Sequence, residues 1–420
     1  GLARWIHVGD RLGEVRWFVA IVVMLVGGGV AGGTARVPRV APVVAAYFAD
    51  WDAGYDAADV PAAKLTDLIY AFGTIDARGR CALGDPYGDL EEPLAGGLRG
   101  NFAALRELEA RYPRLETEIS IGGAGGSARF SQVAASASSR AAFARSCINL
   151  FLRRYPGLFD GIDIDWEFPV AGGLPGVPAK PADRADATAL LAELRSQLDA
   201  LGASEHRHYL LTVAMPAGRE IGGLGYTPET SWDLAAVAPI VDWMDVMTYD
   251  MTTGASPVTD FEAPLERPPG DPTPPPIAQQ NNIAAVVAYY ESNGVPASEI
   301  VLGNAFYGHA FTHVPPVGHG LFQRFRALGA DPSYAQIVAD YLPRYRRYWD
   351  APAQEPWLYA RSTHTFVSYE DPRSLAAKAR FILAQHLRGA MVWEISLDDA
   401  SHDLFDSLAG PILASASNMR

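Results

Sequence analysis

The chain has 420 residues, a formal charge of −14, 49% hydrophobic and 20% charged residues, enough for one large domain or two ordinary ones with a substantial core. The negative charge is dispersed and no basic patch exists, which excludes a nucleic-acid surface built on clustered Lys and Arg. Two cysteines make no disulfide scaffold, and nothing in the chain has metal-ligand spacing.

Residues 1–35 stand apart. Arg11 and Arg16 precede the apolar run Trp17–Leu25, which continues through Val26 and Val30 amid Gly27–Gly29 and ends in small residues up to Ala35. This layout is the one expected of a secretory signal; a spanning helix needs about 20 apolar residues. Secretion is therefore expected, with no stable membrane partner. Export would permit a Cys81–Cys147 disulfide, yet Cys147 falls in a helical pattern, where a buried thiol is the commoner fate. His206 and His208 lie in a polar stretch and are expected to be solvated.

Beyond the leader, β-rich apolar runs recur at Val43–Phe48, Leu68–Gly73, Glu118–Gly122, Gly161–Glu167, Tyr209–Met215, Trp243–Tyr249, Ile300–Phe306 and Gly389–Ile395. Helical patterns fall between them at Asn101–Tyr112, Arg140–Tyr155, Ala185–Leu201, Ile277–Asn293 and Pro372–Leu387, with a shorter one at Trp232–Ala238. In Ala185–Leu201, Leu190, Leu191, Leu194 and Leu198 form one apolar stripe among charged residues. Eight strands alternating with helices predict an α/β fold, the (β/α)8 TIM barrel, over residues 40–415. The prolines of Pro264–Pro276 rule out regular structure there. The long interval 308–368 holds Tyr334, Tyr341, Tyr345, Tyr348, Trp349, Trp357 and Tyr359, too aromatic for a linker. It predicts a small α+β insertion between the seventh and eighth strands.

The fourth run, Asp160-Gly161-Ile162-Asp163-Ile164-Asp165-Trp166-Glu167, carries the chemistry. Strand side chains alternate faces, so Asp163, Asp165 and Glu167 project together, spaced ~6–7 Å apart. Like charges so arranged destabilise a fold unless function requires them. A solvated edge strand would rarely pack Ile162, Ile164 and Trp166 on its other face. Barrel strands aim their C-terminal ends at the active site, so Glu167 is expected at the mouth, Asp163 deepest and Asp165 between. The three should titrate as a set, leaving one carboxyl protonated near neutrality, as protonation of a leaving-group oxygen requires. Asp160 is out of phase and is expected to be structural.

Asp160-x-x-Asp163-x-Asp165-x-Glu167 resembles the signature of glycoside hydrolase family 18, the chitinases and their relatives. Ser120-Ile121-Gly122-Gly123, Met247-Thr248-Tyr249-Asp250, Phe306-Tyr307-Gly308 and Met391-Val392-Trp393-Glu394 are similar to family elements on the third, sixth, seventh and eighth strands. Tyr47-Phe48 and Tyr70-Ala71-Phe72 fit the first and second. The resemblance covers most of residues 42–400 and implies substrate-assisted, retaining hydrolysis of β-1,4-linked N-acetylglucosamine polymers or oligomers. It implies that Glu167 protonates the glycosidic oxygen, Asp165 orients the substrate acetamido group, Asp163 supports Asp165, and Tyr249 bonds the acetamido oxygen. Trp393 would floor the pocket, and Tyr47, Phe72, Met215, Met247, Asp250 and Tyr307 would bind substrate. Trp51 is equally a pocket wall or a packing residue. No cofactor or metal is implied; the expected partners are chitin or its oligosaccharides, and the expected state is a monomer.

Three departures bear on substrate. Where many relatives place a tryptophan after Ser-x-Gly-Gly, this chain has Ala124, followed by Gly125 and Gly126. The loop Met251–Ser256 lacks another common tryptophan. After Phe306-Tyr307-Gly308, His309 and Phe311 replace the usual arginine and tryptophan. Fewer aromatic platforms favour soluble oligosaccharides over crystalline chitin. Glycan-directed endo-β-N-acetylglucosaminidase activity is the alternative; a non-catalytic sugar-binding protein is disfavoured because Glu167 is kept.

Overall fold

A computed structural model describes residues 41–51, 55–217, 231–275 and 277–417; the expected leader lies outside them. Eight parallel strands form the ring: β1 (Val43–Ala49), β2 (Asp67–Ile75), β3 (Glu116–Gly122), β4 (Gly161–Asp165), β5 (Leu210–Pro216), β6 (Trp243–Met247), β7 (Ile300–Ala305) and β8 (Gly389–Trp393). Neighbours pair in chain order, and β1 pairs with both β2 and β8, which closes the barrel. A short strand, Cys81–Leu83, pairs antiparallel to β2 outside the ring. These are the eight expected runs, with the acidic strand fourth.

Alternation along each strand sorts side chains into two layers. Val43, Ala45, Tyr47, Ile69, Trp243, Val301 and Met391 pack inside the barrel. Val44, Ala46, Phe48, Ile162 and Ile164 face outward, in one cluster with Leu190, Leu191, Leu194 and Leu198 of the helix Asp183–Glu205. Burying each of those four leucines contributes about 1.5–3 kcal/mol, which holds the predicted stripe on the barrel wall. Asp183 and Asp186 in the first turn of that helix complement its dipole.

Local capping explains where helix limits depart from the apolar periodicity. Ser136 and Ser139 form a capping box, so the second predicted helix begins at Ala137 and passes after Cys147 into a π-helical stretch, Ile148–Arg153. Asn282 accepts from the Ala285 amide, so the predicted Ile277–Asn293 helix divides into Ile277–Gln280 and Ile283–Ser292. The helix Asp403–Ser417 was not expected; Pro411 within it interrupts the pattern. It packs against the helix Pro372–Ala384.

Between β7 and β8 the chain builds a five-stranded antiparallel sheet, ordered Ala327–Leu328, Gly308–Thr312, Thr365–Tyr369, Glu355–Ala360 and Arg346–Asp350. Phe311, Trp357, Tyr359 and Phe366 give it a core of its own, shared with Phe261. The cysteines also differ from expectation. Cys81 and Cys147 form a disulfide, with Cα atoms 4.9 Å apart, joining the outlying strand to the helix that follows β3. No helix among the described residues is long and apolar enough to cross a membrane.

Candidate active site

Register aligns Ser120 on β3, Asp163 on β4 and Thr212 on β5 at one level of the barrel interior. Asp163 is fully buried there. It accepts from Tyr47 Oη at 2.8 Å, Ser120 Oγ at 2.6 Å and Thr212 Oγ1 at 3.1 Å. Burial pushes its pKa up and these three hydroxyls pull it back, so the site is built to hold an anion. Thr212 Oγ1 is also 2.9 Å from Glu118 Oε2. One hydroxyl has one proton to give. Glu118, buried beside Asp67, Asp163 and Asp245 and held well above the ordinary carboxyl range, has its own proton to complete the pair.

Asp165 is the next inward residue on β4, only 4% exposed, and its Oδ1 has no hydrogen-bond partner among the described residues. Burial, then Glu167, Asp163 and Asp245, raises its pKa well above the usual range. Glu167 stands beyond the strand end. Burial, then the Asp250 charge, lifts its pKa to about 7, while the Ala124 amide opposes the rise. A carboxyl with a pKa near neutrality is suited to exchanging a proton there.

Loop chemistry fixes Glu167. Its amide donates to Ser127 Oγ at 2.8 Å, and Ser127 donates to the Gly123 carbonyl at 2.9 Å. Gly122, at φ 123°, lies so close to β4 that a Cβ would sit 2.1 Å from the Asp165 carbonyl oxygen. The Ser-x-Gly-Gly run is therefore the tight exit that lets β3 meet the acidic strand β4.

Above the acids opens a cavity of about 310 Å³. Trp393 meets Tyr47 edge-on at 5.2 Å and stacks with Phe72 at 5.7 Å, and Phe72 stacks with Trp51 at 5.9 Å. Met247, Tyr249, Asp250 and Tyr307 complete the opposite wall. Asp250 adopts a left-handed φ of 55° and accepts from Tyr307 Oη at 2.7 Å. The peptide bonds Ala71–Phe72, Glu167–Phe168 and Trp393–Glu394 are cis.

Of the residues expected at the site, Tyr47, Phe72, Asp165, Glu167, Met247, Tyr249, Asp250, Tyr307 and Trp393 line this one cavity, and Asp163 lies beneath it. Trp51 lines it as well. Met215 does not. Its register on β5 turns it outward into the layer beneath the helices, and Ala214 is the residue of that strand that reaches the cavity. Asp245 was missed: it is fully buried on β6, accepts from Trp243 Nε1 at 3.2 Å and acts on both Asp163 and Asp165. Its signal was the same period of two that exposed the acidic strand, a lone aspartate between Trp243 and Met247. Glu118 escaped notice as the polar start of an apolar run.

Fold and site together define a (β/α)8 barrel with an aromatic-walled pocket over a ladder of buried carboxyls. The chain belongs to the glycosyl hydrolases family 18, whose model matches residues 43–398. It is 35% identical over 404 residues to Chitinase A1 of Niallia circulans, across 84% of this chain but 56% of that protein. Chitinase ChiA74 from Bacillus thuringiensis superposes with a TM-score of 0.81 at 30% identity, covering 89% of this chain and 70% of that one. A family 18 N-acetylglucosaminidase from Paenibacillus barengoltzii gives 0.75 at 31%, covering 88% and 99%.

Proposed function

We propose that the protein is a retaining hydrolase of β-1,4-linked N-acetylglucosamine chains, with the substrate's acetamido group as nucleophile. The observation that carries this is the unpartnered, buried Asp165 Oδ1 in the cavity that Glu167 also lines, with the Glu167 pKa raised to about 7. A buried acceptor without a donor costs about 1–3 kcal/mol, and a substrate acetamido N–H would satisfy it. Held that way, the acetamido carbonyl oxygen attacks the anomeric carbon as Glu167 gives its proton to the departing glycosidic oxygen. The C–O bond breaks and a cyclic oxazolinium ion forms. Tyr249, which lines the same cavity, steadies the acetamido oxygen, and Asp163 beneath supplies negative charge opposite the cation. Water then attacks the anomeric carbon, giving a proton to the Glu167 carboxylate as the bond from that carbon to the acetamido oxygen breaks; the acetamido group is regenerated and configuration is retained.

Endo action on chains is part of the proposal. A second hollow of about 470 Å³, lined by Trp51, Tyr55 and Tyr87, adjoins the pocket through the shared Trp51 and leaves room for further sugar units. Secretion is a further part, supported by the disulfide, which persists in oxidising compartments, and by the leader-like layout of residues 1–35.

The test is turnover of fluorogenic di- and tri-N-acetylglucosaminides, with the anomer of the first product read by NMR. Activity with retention, abolished in Glu167→Gln, is expected. Sugar binding without turnover, or a first product of inverted configuration, rejects the proposal. Release of monosaccharide only, from the ends of longer oligomers, rejects endo action alone.

A further inference from the structure

Behind the wall made by Tyr307 and Asp250 lies a group of charges that the reaction above does not use. His309, on the insertion strand Gly308–Thr312, has a carboxylate at each ring nitrogen. Nε2 is 2.8 Å from Asp250 Oδ1, and Nδ1 is 2.8 Å from Asp331 Oδ1. Carboxylates accept, so both nitrogens must donate, and only the imidazolium can do so. Glu262 lies beneath, fully buried, with neither carboxyl oxygen hydrogen-bonded among the described residues. Burial opposes a charge on His309; Glu262, then the bonds to Asp250 and Asp331, outweighs it and raises the pKa to about 11. The cation therefore persists across any working pH.

What it holds is a strained residue. The left-handed backbone of Asp250 is one that residues other than glycine adopt at a cost of about 1 kcal/mol. Two side chains grip its Oδ1, the Tyr307 hydroxyl and His309. The Asp250 charge also acts on Glu167, raising its pKa.

We propose that His309 is a positioning residue whose imidazolium, anchored by Asp331, clamps the Asp250 carboxylate to the pocket wall that faces Glu167. This rests on Glu167 being the acid. The ligand atoms of Asp250, Glu262 and His309 lie within 4.8 Å of one another, a spacing that a divalent cation could also use. Both ring nitrogens already meet carboxylates at hydrogen-bond distance, which favours protons there.

The charged and titratable groups around the clamp are Glu167, Tyr249, Glu262, Tyr307 and Asp331, with Glu355, Glu370 and Lys378 packed behind Glu262. Most are acidic. Removing the His309 cation leaves Asp250 and Glu262 less compensated, so Glu167 keeps its proton to higher pH.

The experiment measures kcat and KM against pH on a fluorogenic di-N-acetylglucosaminide. The proteins are wild type, His309→Gln, His309→Arg, Asp250→Asn and the Asp250→Asn/His309→Gln double variant. His309→Gln should lower kcat/KM about 10–100-fold, mostly in kcat, because the wall group is misplaced rather than lost. Its alkaline limb should move upward, and His309→Arg should restore most of the rate. In the Asp250→Asn background the same change should cost less than about threefold, since residues acting through one contact are not additive. Equal losses in both backgrounds, or a folded His309→Gln of wild-type rate and pH profile, overturn the proposal. Should His309→Gln not fold, His309→Arg decides: folded and active supports the clamp, folded and inactive rejects it.

After EDTA treatment, zinc is titrated against wild type and Glu262→Gln with melting temperature and rate as readouts. No response is expected. Zinc that stabilises and inhibits wild type alone would make the cluster a cation site and overturn the clamp. Retained activity in Glu167→Gln would instead defeat the parent assignment, so the two failures are distinguishable.

Discussion

Ser127 Oγ accepts the Glu167 amide at 2.8 Å and donates its own proton to the Gly123 carbonyl at 2.9 Å, so one buried hydroxyl ties the β3 exit to Glu167, the proposed acid. Ser127→Ala leaves the Glu167 amide and the Gly123 carbonyl without that partner. The loss should cost about 1–3 kcal/mol of stability. The rate should suffer more than the binding, because Glu167 is the group displaced. We expect kcat to fall about tenfold or more with KM little changed, measured on a soluble oligosaccharide alongside urea unfolding.

Glu167 should be worth more to activity than to stability, with a sign that depends on pH. Its folded-state pKa of about 7 lies above the ordinary glutamate value of 4.5. The folded protein therefore holds the proton more tightly than the unfolded chain. That stabilisation is complete below about pH 4.5 and is lost as pH rises through about 7. Glu167→Gln never ionises. Relative to wild type it should gain stability between those values, on the order of 2–3 kcal/mol at the alkaline end. Melting temperatures across the range check this; a constant difference would mean the site does not hold the proton. Wild-type kcat/KM should fall with an alkaline limb near pH 7 for the same reason.

Tyr47 is one of three donors that keep the deepest acid anionic. Tyr47→Phe removes one, and the Asp163 pKa, already raised by burial, should rise further. A hydrogen bond to a charged group contributes about 1.5–3 kcal/mol, the expected loss of stability near neutral pH. Protons should then reach Asp163 at higher pH, moving the acid limb of kcat/KM upward. An unchanged limb would assign the ionisation elsewhere in the carboxyl set.

How much of this was legible depends on whether the cause is local in sequence. The period of two in Asp163–Asp165 and the leucine stripe at 190–198 each reflect one element facing one environment, and both survive in the structure; Glu167, beyond the strand end, lines the same cavity. The Cys81–Cys147 bond joins segments 66 residues apart, and no local pattern encodes that approach. Met215 was misassigned because residues near a strand end look equally able to face the pocket until register is known; Thr212 against Asp163 puts Ala214 inside. Asp245 and Glu118 obeyed a visible alternation but lacked the repeated charge that marked β4. The partnership of His309 with Asp250 and Asp331 crosses from the insertion to the barrel wall, a relation only the fold creates.

The wall beside Glu167 also yields a prediction about substrate form. Ala124 is exposed and lines the cavity with Gly125, at the place where an aromatic platform was noted as missing. A Cβ added at Gly125 would meet nothing within 4 Å, so this rim is open rather than packed. Ala124→Trp should therefore place a ring over the cleft without disturbing the core. A stacked aromatic contact contributes about 0.5–1.5 kcal/mol, equivalent to a gain of about two- to tenfold in affinity for a sugar lying across it. On short soluble oligomers the rate should change little, or fall where product leaves more slowly. On insoluble chitin, binding and hydrolysis should both rise. Pull-down of the protein with chitin powder, with sugar release measured in parallel, checks both. Equal effects on short oligomers and polymer would show that the rim touches only the sugars next to the scissile bond.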